Sequence, residues 1–223
     1  GFDTEVPIFD PKTKESEVKR LEYANHFWET RKRKGVTLYE AEKWMRERNY
    51  FGLMMVNTGE ADAMVTGHSR SYPSTIKPVM QLIDKAPGVS KIATTNMMMT
   101  ARGPIFLSDT AINPNPSADD LARIALMTAK TVRMFGMEPV IAMVSYSNFG
   151  SSHNEGPSKI SQAVAYLHEN FPDLIVDGEI QTDFALNSDM LKSKFPFSKL
   201  VNKKVNTLIF PNLDAANITY KLL

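Results

Sequence analysis

The apolar positions change their period partway along the chain. Over residues 15–34 they recur at helical spacing, with Val18, Leu21, Ala24 and Trp28 on one stripe and Gly35 just beyond the end. Thr37 and Glu40 have the spacing of a capping box, which predicts a second helix that buries Leu38, Ala41, Trp44 and Met45 and ends near Asn49. Residues 51–56 suit a helix or a strand, because length alone does not separate the two. The short apolar segment Ala63, Met64 and Val65 follows, then a polar turn over 67–71 and a helix near 74–85. Ala86, Pro87 and Gly88 break that helix and mark a candidate domain boundary.

Beyond it, strand-like and helix-like segments alternate. Residues 92–99 and 105–107 are short, apolar and bounded by Gly or Pro, and Met97, Met98 and Met99 read as core strand. Ser117 caps a long helix that turns Leu121, Ile124, Ala125, Val132 and Phe135 inward and stops at Gly136. Residues 140–144 are almost wholly apolar, as in a parallel strand buried on both faces. Gly156 and Pro157 open a helix carrying Ile160, Val164 and Leu167, with Pro172 after its end; residues 174–176 and 207–210 are two further strands. This alternation predicts an α/β sheet with helices on its faces.

Charge and composition narrow the function. Lys+Arg 26 against Asp+Glu 25 leaves +1, so no global field favours nucleic acid or an anionic membrane, and anion recognition must be local. With no Cys, disulfide scaffolds, thiolate zinc sites and cysteine nucleophiles are excluded, which suits a reducing cytoplasm. No apolar run reaches the roughly 18 residues of a membrane span. The opening residues have no signal-peptide pattern and are expected to lie mid-protein. The four His residues show no metal-ligand spacing, and there is no dinucleotide, Walker or nucleophile-elbow motif.

Two loops carry candidate chemistry. Ser145-Tyr146-Ser147-Asn148-Phe149-Gly150-Ser151-Ser152 follows the apolar strand and precedes a helix. At a strand's carboxyl end, such a loop lets backbone N–H groups and Ser hydroxyls surround an anion. The plain alternative is a polar connection without a ligand. The second loop, residues 67–75, brings His68, Ser69, Arg70 and Ser71 to a helix start with Lys77 in its first turn; taken alone, it reads more simply as a solvated turn. The basic run Arg31-Lys32-Arg33-Lys34 ends the first helix, where the dipole and water favour it.

In this order, six segments resemble the phosphate acetyltransferase (phosphotransacetylase) family over nearly the whole chain. Thr30-Arg31-Lys32-Arg33-Lys34-Gly35-Val36-Thr37 is similar to LRKxKGxT, Gly59-Glu60-Ala61-Asp62-Ala63-Met64-Val65-Thr66-Gly67 to GxADGxVSG, and Thr75-Ile76-Lys77-Pro78 to TxRP. Ser145 to Ser151 is similar to LSYSTxGS, Asp177-Gly178-Glu179-Ile180-Gln181-Thr182-Asp183 to DGELQxD, and residues 210–221 to FPDLNxGNIxYK.

The resemblance implies a three-layer α/β/α fold of the isocitrate/isopropylmalate dehydrogenase type, with two lobes and a cleft. Residues 1–87 would be a partial first α/β lobe, and 88–223 a second one with the dimerisation surface. Acetyl-CoA and phosphate, or acetyl phosphate, would meet in the cleft of a homo-oligomer. Arg31, Lys77, Ser69, Ser145, Ser147, Asn148, Gly150, Ser151 and Asn217 are the implied contacts, with no metal site. Lys77 stands where the family has Arg, keeping the charge but losing the planar fork. The departures at 62–64, 147–151 and 212–217 resemble the phosphotransacetylase-like domain of bacterial NADP-dependent malic enzymes. There the domain resembles an acetyl-CoA sensor, and NADP and Mg2+ or Mn2+ belong to a fused malic domain. Family members extend further at both ends, and their catalytic base lies past the last motif. The segment by itself is therefore expected not to turn over. A working phosphate acetyltransferase is the alternative.

Overall fold

A computed structural model describes residues 7–67, 69–87 and 89–223. The chain falls into two compact units, Gly1–Pro87 and Gly88–Leu223.

Among the described residues of the first unit, every regular element is helical: α1 (Glu17–Arg31), α2 (Leu38–Trp44), α3 (Arg48–Asn57) and α4 (Tyr72–Leu82). A 3-10 turn over Lys32–Lys34 follows α1, and Gly35 ends it at φ +85°, a left-handed position that favours glycine. The capping box forms as expected: Thr37 Oγ1 accepts from the Glu40 N–H, and Glu40 accepts from the Thr37 N–H. Residues 51–56 resolve to helix.

The stripe expected on α1 holds in part: Ala24 is buried and Trp28 packs against the same core, but Val18 and Leu21 face outward and Tyr23 and Phe27 take their place. Tyr23, Ala24 and Phe27 are buried, whereas Val18 is 79% exposed. Two apolar stripes overlap on this helix, and the aromatic one packs because large rings bury more area. Tyr23 meets Phe51 at 5.2 Å, and Phe27 meets Trp44 at 5.9 Å and Tyr50 at 5.8 Å. Leu38, also expected inside, is exposed at the first turn of α2. In α4, Pro78 supplies no N–H to the Ser74 carbonyl, which instead accepts from Asn49 Nδ2 at 3.1 Å.

The second unit is built on a five-stranded sheet, β1 (Thr95–Thr100), β2 (Gly103–Ser108), β3 (Val140–Val144), β4 (Ile175–Ile180) and β5 (Thr207–Ile209), in the order β1-β2-β5-β3-β4. β1 and β2 form an antiparallel hairpin, while β2, β5, β3 and β4 run parallel. The helices are α5 (Ala118–Met134), α6 (Glu155–Asn170), α7 (Thr182–Leu186), α8 (Ser188–Lys194) and α9 (Leu213–Leu222). Alternate strand residues serve opposite faces. Ile141, Met143, Val176 and Ile209 pack with α5 and α6, and Ala142, Val144, Leu208 and Phe210 pack with Ala185, Leu191 and Ala216 of α7, α8 and α9. This is a mixed α/β sheet covered on both sides. All five residues of β3 are buried, as a central parallel strand requires.

Two expectations fail at the sheet's margin. Met97 and Met99 are exposed on the edge strand, Met99 by 74%, and of the three methionines only Met98 packs on the core. Phe135 is 55% exposed because α5 has already ended at Met134; its ring still meets Phe106 at 5.6 Å. The short helices α7 and α8 were not anticipated, since each is too brief to show a period.

Ser117 caps α5 by accepting from the Asp120 N–H, and Asp120 returns the bond. Ser117→Ala is expected to cost about 1 kcal/mol, read as a lower urea midpoint with unchanged slope. No helix among the described residues is long and apolar enough to cross a membrane.

Candidate functional site

Four parallel strands end on the same side of the sheet, so the segments after β2, β3, β4 and β5 gather there. The centre is the loop after β3. Between Met143 and Val144 the β3–β4 register slips by one residue, so Val144 pairs with Ile180 and Glu179 is the extra residue of a bulge. The bulge brings the Glu179 carboxyl under the loop, where the residue is only 1% exposed.

Residue 179 is the loop's main anchor. Glu179 Oε1 accepts from Ser147 Oγ at 3.1 Å and from the Gly150 N–H at 2.5 Å, and its carbonyl accepts from the Phe149 N–H at 2.8 Å. Ser147 Oγ lies 2.9 Å from Ser151 Oγ, which accepts from the Asn148 N–H at 3.0 Å. The Ser147 N–H goes to Ser145 Oγ at 3.3 Å, and the Ser145 N–H to the Ile180 carbonyl at 2.9 Å. Asn148 and Gln181 clamp each other: Asn148 Nδ2 donates to Gln181 Oε1 at 2.8 Å, and the Gln181 N–H donates to Asn148 Oδ1 at 2.8 Å. In this arrangement the N–H groups of residues 147–151 bond within the loop or to residue 179, rather than facing outward as a cradle.

The loop's backbone is also constrained. Phe149 has φ +45°, unusual for a bulky residue, and Gly150 follows at φ +87°. The Phe149 ring is held by Phe195 and Phe197, each at 5.0 Å. Asn154 stands at the N-cap of α6 without a side-chain capping bond; its Nδ2 donates instead to Tyr146 Oη at 3.0 Å.

After β2, Asp109 is buried at 3% exposure and holds a second turn. It accepts from the Thr94 N–H and hydroxyl, the N–H groups of Ala111, Ile112 and Asn113, and Asn113 Nδ2. Burial alone would raise its pKa; the bonds from Thr94, Ala111 and Asn113 outweigh this and hold the carboxyl below its ordinary value. Asn217 Nδ2 donates to the Thr110 carbonyl at 3.1 Å, tying α9 to the same turn. Within this unit, then, Ser145, Ser147, Asn148, Gly150 and Ser151 share one loop, and Asn217 sits on the turn after β2.

Arg31, Lys77 and Ser69 belong to the other unit. The Arg31 guanidinium donates to the Gln81 carbonyl, one turn along α4 from Lys77, and lines a cavity of about 280 Å³ with His26, Lys34 and Asp84. Lys77 opens on a different cavity, of about 220 Å³, with Trp44, Asn49, Arg70 and Ser74. Its Nζ sits 5.3 Å from the Trp44 ring centre. Ser69 is exposed, and its neighbour His68 lies outside the described residues.

Sequence reasoning assigned no role to Glu179 or Asp109. The available signal was acid within apolar runs, as in Ile175-Val176-Asp177-Gly178-Glu179-Ile180, because a carboxylate in a buried strand must find donors.

The phosphate acetyl/butaryl transferase family model matches residues 2–223. A phosphate acetyltransferase of Clostridium acetobutylicum is 37% identical over 227 residues, covering 99% of this chain and 67% of that protein. The NADP-dependent malic enzyme of Escherichia coli is 37% identical over 216 residues, covering 96% of this chain but 28% of the enzyme. The crystal structure of a phosphotransacetylase from Streptococcus pyogenes superposes with a TM-score of 0.80 at 37% identity, covering 90% of this chain and 61% of that one. The chain thus spans only part of each relative. With the fold, the loop order and these similarities in agreement, the chain belongs to the phosphate acetyl/butaryl transferase family.

Proposed function

We propose that the chain is an acetyl-CoA- and phosphate-binding domain that reports acetyl-CoA to the malate-oxidising part of a longer NADP-dependent malic enzyme. The observation that carries the reading is how the groups a transferase would aim at phosphate are engaged. Lys77, standing where the family has Arg, lies over Trp44, and the donors of residues 147–151 are bonded within the loop or to Glu179. A transferase gains most from donors already aimed at the developing oxyanion, and a lysine point charge lacks the two-point grip of arginine. Such a set is poorly arranged to stabilise a developing charge, which disfavours turnover. The identity with the Escherichia coli malic enzyme over 96% of this chain supports the same reading. We place the intact protein in the cytoplasm as a homo-oligomer, with Arg31, Lys77 and Ser69 as the contacts proposed within the first unit and Asn217 and the 145–151 loop as those proposed within the second.

The second reading is a working phosphate acetyltransferase interconverting acetyl-CoA plus phosphate with acetyl phosphate plus CoA. It is favoured by the 37% identity to the Clostridium enzyme over 99% of the chain. One pair of assays separates the two. For the regulatory reading, NADP-dependent malate oxidation by the intact protein changes about fivefold or more as acetyl-CoA rises to millimolar levels. A flat response removes that reading. CoA release from acetyl-CoA plus phosphate, above background, establishes the transferase.

A further inference from the structure

The buried carboxylate under the loop is not required by the fold's core. Residue 179 is an added residue in β4, and the apolar pairing continues past it with Val144 and Ile180. A buried carboxyl group is costly unless both of its oxygens find hydrogen-bond partners. Among the described residues Oε1 finds them, whereas the buried Oε2 has no hydrogen-bond partner. Strain accompanies the cost: Phe149 at φ +45° and Gly150 at φ +87° both lie in the left-handed region where the Gly150 N–H donates to Oε1. A costly, incompletely satisfied carboxylate beneath a strained loop is the pattern of a group kept for what it orients.

We propose that Glu179 is a positioning residue for the ligand-facing loop: its Oε1 fixes Ser147 and Gly150 from beneath, and through Ser147 it sets Ser151 and the course of residues 145–151. The ligand-facing part of this rests on the function proposed above; the ordering part does not. Ser147 Oγ spends its hydrogen on Glu179, so the 2.9 Å contact to Ser151 is made by the Ser151 hydroxyl donating to Ser147. The result is a relay, Ser151 to Ser147 to Glu179, that fixes the hydrogen positions of both serines. Glutamine keeps an acceptor at Oε1 and preserves the relay; alanine removes it and leaves the Gly150 N–H without its acceptor.

The test compares wild type, Glu179→Gln and Glu179→Ala in the intact protein by amide hydrogen exchange, and by direct titration with acetyl-CoA and with inorganic phosphate. In Glu179→Ala, the peptide spanning residues 145–151 is expected to exchange at least tenfold faster, while peptides from β3 and α5 keep their protection. Glu179→Gln should stay within threefold of wild type. Where wild type binds acetyl-CoA, alanine weakens binding at least tenfold and glutamine restores most of it. A role confined to general stability would instead raise exchange throughout the unit. Unchanged exchange of 145–151 in Glu179→Ala overturns the proposal, and so does a glutamine variant as poor as alanine. If wild type binds neither acetyl-CoA nor phosphate, the function proposed above fails, and the exchange comparison still decides whether Glu179 orders the loop.

Discussion

Gly178→Ala is expected to destabilise the protein by about 3–5 kcal/mol, the sum of a forbidden backbone conformation and an overpacked contact. Gly178 has φ +147°, a region that residues with a side chain rarely enter. A Cβ placed there would stand 2.4 Å from the Met143 carbonyl oxygen and 2.9 Å from the Met143 Cβ. The nearest obstacle is the backbone of the neighbouring central strand, so no side-chain rotation relieves it. To fit an alanine, β4 must move away from β3 at the residue that launches the bulge. Equilibrium urea unfolding of the intact protein reads the loss as a lower midpoint. The same displacement would pull Glu179 from beneath the loop, so residues 145–151 should lose exchange protection even at temperatures where the variant remains folded. An alanine variant within 1 kcal/mol of wild type would mean that the strands separate more freely than the geometry allows.

How much of this was legible in the chain follows from how local each signal is. Strong, repeated patterns were readable: the capping boxes at Thr37 and Ser117, the wholly apolar β3, and the left-handed stops at Gly35 and Gly136. Each depends on a few neighbouring residues. Which of two overlapping stripes on α1 packs inward was not readable, because Tyr23 and Phe27 win through contacts with Phe51, Trp44 and Tyr50 on other helices. The methionines of β1 read as core because their strand was identified without its place at the sheet's edge. At the site, the sequence located the serine loop but not its wiring. A hydroxyl-rich turn after a strand looks the same whether its donors face a ligand or a carboxylate of the next strand. The deciding partner, Glu179, lies about thirty residues downstream and reaches the loop only through a bulge, and a one-residue register slip has no period of its own.

The second large effect is expected at Asp109. Asp109→Ala should cost about 3–5 kcal/mol: a bond to an ionised group contributes about 1.5–3 kcal/mol, the several bonds are not additive, and removal strands buried donors. Those donors include the N–H groups of Thr94, Ala111, Ile112 and Asn113, all of which the one carboxylate accepts. Asp109→Asn should cost less, because one amide oxygen still accepts, although its NH2 would face the donors of Asn113. The charge gives the prediction a pH signature. Folding lowers the Asp109 pKa, despite burial, through the bonds from Thr94, Ala111 and Asn113. The stabilisation is therefore fully present above the unfolded pKa of about 4 and is lost as pH falls through the lower folded value. Urea unfolding at a series of pH values between about 7 and 3 should show the gap between wild type and Asp109→Asn narrowing as the solution is acidified. A gap that stays constant across that range would mean the turn after β2 is held by its shape and not by the ionised carboxylate.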